Sequence, residues 1–247
     1  MSVSEKVCEP LITIITVVHN GEEHLEQTIE SVLNHRQRNI EYIIIDGGST
    51  DGTVGIIKKY EPNISFWQSQ PDNGIYDAMN KGWAVAKENS YILYLGSGDK
   101  IISLPDDMSK YKLDDVIYGK VFIEDKLIFN SSAGFRLKIY NSLHHQALLI
   151  NKSLSPAEPF DLNFNVYADF DFNQRLMKSG VNFVYSEEFK AFAMPGGIST
   201  VLDFAESLRV IEKNYGLIWS SVARAGYWGM KFLPVLKKLR PFAGVGL

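Results

Sequence analysis

The first part of the chain alternates between short apolar runs and stretches in which apolar residues recur every three or four positions. Four apolar runs predict strands, at residues 11–18, 42–45, 64–67 and 91–95. Helical spacing between them predicts amphipathic helices over residues 22–33, 53–60 and 75–87. Strands and helices that alternate in this order favour an α/β fold with a doubly wound, mostly parallel sheet.

The pattern is less regular after residue 100. Short apolar runs separated by turns predict further strands, at residues 116–118, 121–123, 127–129, 146–150, 182–185 and 189–192. Helices are expected over residues 169–178 and 201–215. We therefore expect the second half of the sheet to be mixed. The sequence shows no repeat or low-complexity linker, so we divide it into one α/β domain, residues 1–212, and a helical tail, residues 213–247.

Charge is distributed unevenly between these two parts. The net charge is −4, but the tail has six cations and no acidic residue, so residues 1–212 carry −10. Aromatic and aliphatic residues alternate with the tail's cations, as in a helix that lies on an anionic membrane surface. The alternative is a helical pair that packs on the domain and exposes its basic face to solvent. Nucleic acid is not an expected partner, because the rest of the chain is acidic.

Composition limits the class of protein further. A hydrophobic content of 45% over 247 residues supports a large core, and the single Cys8 excludes an internal disulfide. Residues 1–10 are too polar for a signal peptide, and no apolar run has the length of a membrane span. We expect a cytoplasmic protein, and the tail adds the alternative of a peripheral position on the inner face of the cytoplasmic membrane.

Two predicted strands end in a carboxylate beside glycines, Asp46 and Asp99. The carboxyl ends of parallel strands share one edge of a sheet, where α/β folds bind ligands. We interpret Asp99 as a ligand of a divalent metal, Mn²⁺ or Mg²⁺, beneath a nucleotide diphosphate. Residues 19–22 lack the G-x-G-x-x-G turn of nicotinamide-dependent oxidoreductases, which argues against that class.

Three segments, residues 14–21, 44–53 and 71–82, resemble family two glycosyltransferases in motif, order and spacing. The similarity is strong over residues 10–100 and looser over residues 143–200. It implies a GT-A fold and inverting transfer of a sugar from a nucleotide-sugar donor, with UDP as the expected nucleotide. The implied acceptor is a saccharide, with a lipid-linked oligosaccharide as the expected form, in bacterial synthesis of exopolysaccharide, O-antigen or colanic-acid type polymers.

The resemblance also implies a role for individual residues. The implied nucleotide-sugar contacts are Thr16, Asn20, Asp46, Gly47, Asn73, Asp77, Ser97 and Gly98. The family's metal motif usually has two carboxylates separated by one residue. Residues 96–99 read Gly-Ser-Gly-Asp, so only Asp99 remains, as in an Asn-Ser-Gly-Asp variant among bacterial polysaccharide enzymes. His145, in a His-Gln pair, is expected beside the metal or the acceptor.

The segment Tyr167–Asp171 resembles the family's acidic acceptor motif. Asp169 is the favoured general base and Asp171 is the alternative. A carboxylate that takes the proton of the acceptor hydroxyl accelerates such reactions by roughly a hundred- to ten-thousand-fold.

Each of these sites also has a structural interpretation. Asp46 could cap a turn, Asp169 could cap a helix, and His145 could be a hydrogen-bonded structural histidine. The reduced metal motif keeps open a second hypothesis for the whole chain, a catalytically silent protein that binds nucleotide sugars or acts as a membrane scaffold.

Overall fold

The computed structural model describes residues 9–123, 127–155, 158–196 and 203–238. The strands in these ranges are β1 (Ile12–Val18), β2 (Ile40–Asp46), β3 (Phe66–Ser69), β4 (Tyr91–Gly96), β5 (Lys100–Ser103), β6 (Asp115–Ile123), β7 (Leu127–Asn130), β8 (Leu148–Asn151) and β9 (Asn182–Phe192). The helices are α1 (Leu25–Leu33), α2 (Thr53–Tyr60), α3 (Ile75–Val85), α4 (Ala168–Lys178), α5 (Phe204–Tyr215) and α6 (Leu217–Lys238).

The described strands form one sheet with the order β3-β2-β1-β4-β8-β6-β9-β5, and β7 pairs with β6. Strands β3, β2, β1 and β4 are parallel to one another. Strand β8 is antiparallel to both β4 and β6, whereas β6 and β9 are parallel. The predicted α/β fold, with a mostly parallel first half and a mixed second half, is confirmed.

The central strands are buried on both faces because helices cover each side of the sheet. Ile15 and Val17 of β1 pack in a cluster with α3 and α4, whereas Ile12 and Ile14 pack with α1. This alternation follows from the two-residue period of a strand. The register pairs Val18 with Asp46 and Val17 with Gly96, so the carboxyl ends of β2, β1 and β4 meet at one edge.

The second half differs from the prediction in strand number and length. Strands β6 and β9 are each continuous where two short strands were expected, and β5 was not predicted. The pairing of β6 with β9 shifts register between Tyr118 and Lys120, which explains the interrupted apolar pattern. Gly119 lies at this shift, where a Cβ would be 2.1 Å from the carbonyl oxygen of Phe189.

The C-terminal helices pack on the α/β core. Residue 213, where the division between domain and tail was placed, lies inside α5, and Lys213 Nζ is 2.8 Å from Asp161 Oδ2 and 3.0 Å from Asp171 Oδ1. The division itself stays a prediction, and tail residues 239–247 lie outside the described part of the chain. No helix within the described ranges combines the length and the apolar character that crossing a membrane requires.

Candidate active site

A cavity of about 780 Å³ lies beyond the carboxyl end of β4, between the parallel half of the sheet and the C-terminal helices. Ser97 and Asp99 line it on the sheet side, and Asn141, His145 and Asp169 line it on the opposite side. The chain therefore brings polar residues from three distant segments to one enclosed space.

Asp99 is only 4% exposed, and both of its carboxylate oxygens accept hydrogen bonds from the protein. Oδ2 accepts from the Gly96 N–H at 2.7 Å and from Gln146 Nε2 at 3.1 Å, and Oδ1 accepts from the Met194 N–H at 2.8 Å. Burial raises the pKa of the Asp99 carboxyl, and the charge of nearby His145 counters this only in part. Asp99 thus joins the end of β4 to the segments around Gln146 and Met194.

At the end of β4, Asp99 could contribute one carboxylate ligand to a metal ion. The described residues contain no cluster of three or more His, Cys, Asp or Glu side chains placed to hold a metal ion. A carboxylate has about four acceptor positions, and Asp99 uses three of them on protein donors. Mg²⁺ is often bound by one or two carboxylates together with substrate phosphates and water, which is compatible with the remaining position.

Asp169 lies in the first turn of α4 and is nearly buried. Its Oδ1 accepts hydrogen bonds from the Phe170 N–H at 2.7 Å and the Tyr76 hydroxyl at 3.2 Å, and its Oδ2 accepts from Asn141 Nδ2 at 3.2 Å. Burial alone would raise the pKa of Asp169, but nearby His145 and the hydrogen bonds from Asn141 and the Phe170 N–H lower it below its ordinary value. The carboxylate is therefore ionised at neutral pH, as a general base must be.

His145 faces Asp169, with its Nδ1 3.8 Å from Asp169 Oδ2. The pair gives His145 a structural partner inside the cavity. Its role as a metal ligand stays a prediction, and so does its contact with an acceptor.

Asp171 does not line the cavity, although it is only two residues from Asp169. It is fully buried, and its carboxylate contacts Arg175 Nε at 2.9 Å, Lys213 Nζ at 3.0 Å and Asn214 Nδ2 at 2.9 Å. Residues two positions apart on an α-helix project to nearly opposite sides. The structure therefore separates Asp171, the alternative base, from the site and places it between α4 and α5.

Sequence reasoning missed a buried carboxylate that holds the segment before Asp169. Glu206, in the first turn of α5, accepts the backbone N–H groups of Asn165, Val166 and Tyr167 at 3.1, 2.7 and 2.8 Å. Asp203 and Glu206 have the spacing of a helix-capping pair, and the Asp203 side chain accepts from the Glu206 N–H. This capping pair could have located the start of α5 from the sequence. It could not have identified the backbone N–H groups that Glu206 accepts.

Two predicted nucleotide contacts order the loop that follows β2. Asp46 is fully buried and accepts hydrogen bonds from Ser49 and Ser69. Asn20 donates its N–H to Ser49 Oγ at 2.7 Å and accepts from the Thr50 N–H at 2.9 Å. The turn-capping interpretation of Asp46 agrees with these contacts, and the nucleotide role of both residues stays a prediction.

Asp77 begins α3 at the same edge of the sheet. Its Oδ2 accepts from the Asn73 N–H at 2.8 Å and pairs with Lys81 Nζ at 3.1 Å. The hydrogen bond from Asn73 lowers the pKa of Asp77. A Cβ on Gly47 would lie 2.4 Å from Asp72 Oδ2, so the glycine allows the loop before α3 to pack closely on the end of β2.

Two further residues that were predicted to contact the nucleotide, Thr16 and Gly98, pack against other parts of the protein. Thr16 is fully buried in β1, with Oγ1 3.1 Å from the Tyr42 hydroxyl, because its position in the strand points its side chain into the core. The nucleotide role of Thr16 stays a prediction, as it does for the equally buried Asp46. Gly98 has a φ of +97°, donates its N–H to Thr28 Oγ1, and lies where a Cβ would be 2.8 Å from the Met194 side chain. These contacts explain the need for glycine there.

The predicted residues thus form two groups. Those that share the cavity are Ser97, Asp99, His145 and Asp169. Those near the same sheet edge but outside the cavity lining are Asn20, Asp46, Gly47, Asn73 and Asp77. The other predicted residues, Thr16, Gly98 and Asp171, are buried and belong to neither group.

Similarity to known proteins is found in both sequence and structure. The family model described as glycosyl transferase family 2 matches residues 13–100. An uncharacterized glycosyltransferase of Mycobacterium tuberculosis is 33% identical over 180 residues, which cover 66% of this chain and 67% of that protein. A PGL/p-HBAD biosynthesis glycosyltransferase of Mycobacterium bovis is 28% identical, with 67% and 69% covered. A putative teichuronic acid biosynthesis glycosyltransferase of Bacillus subtilis is 35% identical over 95 residues, 37% of each chain.

Solved structures support the fold. TarS 1–349 of S. aureus in complex with UDP-GlcNAc aligns with a TM-score of 0.61 and 14% identity over 90% of this chain and 72% of TarS 1–349. The alignment with TarS 1–349 crystallised alone covers 65% of that chain. A mannosyltransferase from Pyrobaculum calidifontis in complex with GDP-Man and Mn²⁺ gives a TM-score of 0.55 and 13% identity over 94% and 79% of the two chains. The fold is the GT-A fold, and with the sequence relatives above, the chain belongs to glycosyl transferase family 2.

Proposed function

We propose that this protein transfers a sugar from a nucleotide-sugar donor to a hydroxyl group of a saccharide acceptor, with inversion at the anomeric carbon. The observation that carries this proposal is that the Asp169 carboxylate lines the same cavity as the strand-end residues Ser97 and Asp99. A donor bound at the sheet edge and an acceptor bound at Asp169 would meet in that cavity.

Asp169 acts as the general base in this proposal. An acceptor hydroxyl becomes a competent nucleophile when its proton passes to a positioned carboxylate as the new glycosidic bond forms. Tyr76, Asn141 and the Phe170 N–H restrict the orientation of that carboxylate. Attack from the side of Asp169, opposite the leaving nucleotide diphosphate, inverts the configuration of the sugar.

We infer that the donor is UDP-linked and that a divalent cation accompanies it. The TarS structure with UDP-GlcNAc supports a nucleotide-sugar donor. The mannosyltransferase structure with GDP-Man and Mn²⁺ supports a nucleotide sugar together with a metal. Asp99 would hold that metal, with His145 as the second proposed protein ligand, and the metal when bound would offset the negative charge of the leaving diphosphate. The residues proposed to shape the nucleotide site are Thr16, Asn20, Asp46, Gly47, Asn73, Asp77, Ser97 and Gly98.

We propose a role in bacterial surface polysaccharide synthesis, on a lipid-linked saccharide acceptor at the inner face of the cytoplasmic membrane. The named teichuronic acid and PGL/p-HBAD relatives support a surface glycan or glycolipid. Apolar side chains at the start of α6 support membrane contact, since Leu217 is 67% exposed and Ile218 is 78% exposed. Sedimentation with vesicles that contain anionic lipid tests this, and a Leu217→Ser/Ile218→Ser variant should remain in the supernatant.

A thermal-shift screen of nucleotide sugars, with and without Mn²⁺, tests the donor, because a ligand that binds only the folded state raises the melting temperature. We expect a UDP-sugar to give the largest shift, and a GDP- or dTDP-sugar that gives a larger one would contradict the donor assignment.

Turnover is tested separately, with two variants. Release of UDP from the selected donor should be lost in Asp99→Ala and Asp169→Asn. Binding without turnover across donors and acceptors would instead favour a catalytically silent nucleotide-sugar-binding protein, the alternative that the single-acid metal motif suggests.

A further inference from the structure

The wall of the cavity formed by α6, the start of α5 and the segment before β8 is mostly apolar, with Ser207 and Asn141 as its polar members. Helix α6 contributes Val222, Ala223 and Tyr227 to this part, and the segment before β8 contributes Ile139 and Leu143. The ring of Phe204 stacks on that of Tyr227, with their centroids 4.0 Å apart. We call this part of the cavity the α6 chamber.

The chamber does not have the chemistry of a site for a second sugar. Sugar hydroxyls that leave water need hydrogen-bond partners, and the side chains that define the chamber supply only the Tyr227 hydroxyl, so the burial of a whole sugar there is unfavourable. An apolar group gains free energy in the same space. Ligand sites that combine an apolar wall with a few polar groups bind ligands of the same mixed character.

The charges around the cavity restrict the ligand further. Among the described residues that line the cavity, none is Lys or Arg, three are histidines (His24, His144 and His145), and Asp99 and Asp169 are acidic. None of the residues that define the α6 chamber is charged or a histidine, so a phosphate group carried by the acceptor would lose water there without gaining a cationic partner. A neutral apolar group avoids this penalty.

On the basis of the proposed function, we propose that the accepting hydroxyl belongs to a sugar with a neutral apolar aglycone, aryl or alkyl, and that this aglycone occupies the α6 chamber. Asp169 would contact the hydroxyl, and the aglycone would pack between α6 and the segment that contains Ile139. Helix α6 is then a specificity element of the acceptor site as well as a candidate membrane contact.

Gly226 allows a direct test, because it lines the cavity from α6 and a Cβ added there would meet nothing within 4 Å. Gly226 is exposed, so Gly226→Leu should add an apolar side chain to the α6 side of the chamber without a clash and narrow the chamber there, and leucine favours a helix over glycine. Gly55→Leu is the matched control, because Gly55 is an exposed glycine of α2 that also has no atom within 4 Å of an added Cβ. The melting temperature of each variant verifies that it is folded.

The experiment compares methyl, butyl and phenyl glycosides of glucose, galactose, mannose and rhamnose by calorimetric titration in the presence of UDP. For at least one sugar, the wild type should bind the phenyl or butyl glycoside ten times or more tightly than the methyl glycoside. This ratio should fall to about one in Gly226→Leu and stay unchanged in Gly55→Leu. An arm with the corresponding sugar 1-phosphates should show no gain over the methyl glycosides.

Any of three results would overturn the inference. They are a wild-type ratio near one, no binding of any apolar glycoside, and a ratio that Gly226→Leu leaves unchanged. Failure of the proposed function is distinguishable, because it would appear as an absence of nucleotide-sugar binding and turnover in the donor screen, which uses no acceptor.

Discussion

The Glu206 carboxylate lies 2.7 Å from the backbone nitrogen of Val166, 40 residues earlier in the chain. The same carboxylate accepts the N–H groups on both sides of Val166, while the Tyr76 hydroxyl donates to the Val166 carbonyl oxygen at 2.7 Å. The segment that leads into α4 is therefore held from two directions, by α5 and by α3. This arrangement makes α5 part of the support of Asp169.

Removal of the Glu206 carboxylate should affect both stability and turnover. Glu206→Ala leaves up to three backbone N–H groups without their acceptor, at about 1–3 kcal/mol for each group that stays buried and unsatisfied. We expect a lower free energy of unfolding in urea and a lower kcat, with an unchanged KM for the donor, because the base is displaced but the donor edge is not.

Glu206→Gln retains one acceptor oxygen and should recover part of the lost kcat. Glu212→Ala, an exposed substitution on the same helix, is the matched control and should leave both quantities unchanged. An unchanged kcat in a folded Glu206→Ala protein would contradict the positioning role.

Substitutions of the two acidic residues of α4 should have different effects, one on the rate of sugar transfer and the other on stability. Asp169→Asn removes the base and should lower the rate of sugar transfer by roughly a hundred- to ten-thousand-fold while the protein stays folded. Asp171→Asn should mainly lower the free energy of unfolding, by up to about 3 kcal/mol, because it removes the counter-charge of Arg175 and Lys213. Arg175 and Lys213 both retain access to water, which reduces the free-energy cost of leaving them without a counter-charge. The reverse pattern, measured by transfer kinetics and urea unfolding, would assign the base to Asp171.

The contribution of Lys213 to stability should depend on pH. The hydrogen bond from Lys213 is the main cause that holds the pKa of Asp161 below its ordinary value. A carboxyl whose pKa is lower in the folded state stabilises the fold above its unfolded pKa of about 3.9, and this contribution disappears as the pH falls through the folded pKa. Lys213→Met should therefore be less stable than the wild type at pH 7, with a difference that shrinks below about pH 4.

Urea unfolding between pH 3 and pH 7 measures this difference. Lys58→Met, on the exposed side of α2, serves as the control and should show no such trend. A stability difference that is the same at pH 3 and pH 7 would exclude the ion pair as its source.

Two glycines should respond in opposite directions to the same substitution. Gly119→Ala places a Cβ 2.1 Å from the Phe189 carbonyl oxygen, so β6 and β9 must separate, and we expect a loss of about 1–3 kcal/mol in the free energy of unfolding. Gly55→Ala, in an exposed helical position with open space, should gain up to about 1 kcal/mol. Equal stabilities of the two variants in urea would show that the sheet adapts to the added methyl group.

The parallel half of the fold could be predicted from the sequence because its signals are local. Strands β1, β2 and β4 are nearly uninterrupted apolar runs, which is what burial on both faces requires, and each ends at small or polar residues. The same signals placed Asp46 and Asp99 at one edge of the sheet. In the mixed half, the register shift beside Gly119 interrupts the apolar period, so two long strands resembled four short ones.

Tertiary structure alone decided which of these residues face the cavity. Asp169 and Asp171 belong to the same acidic motif, but the turn of the helix directs one to the cavity and the other to Lys213. Burial in β1 places the Thr16 side chain beside Tyr42, and Glu206 acquires its role from a segment 40 residues away. Residue types and local periodicity thus determined the elements and the candidate chemistry, whereas side-chain direction and long-range contacts depend on packing that no local pattern encodes.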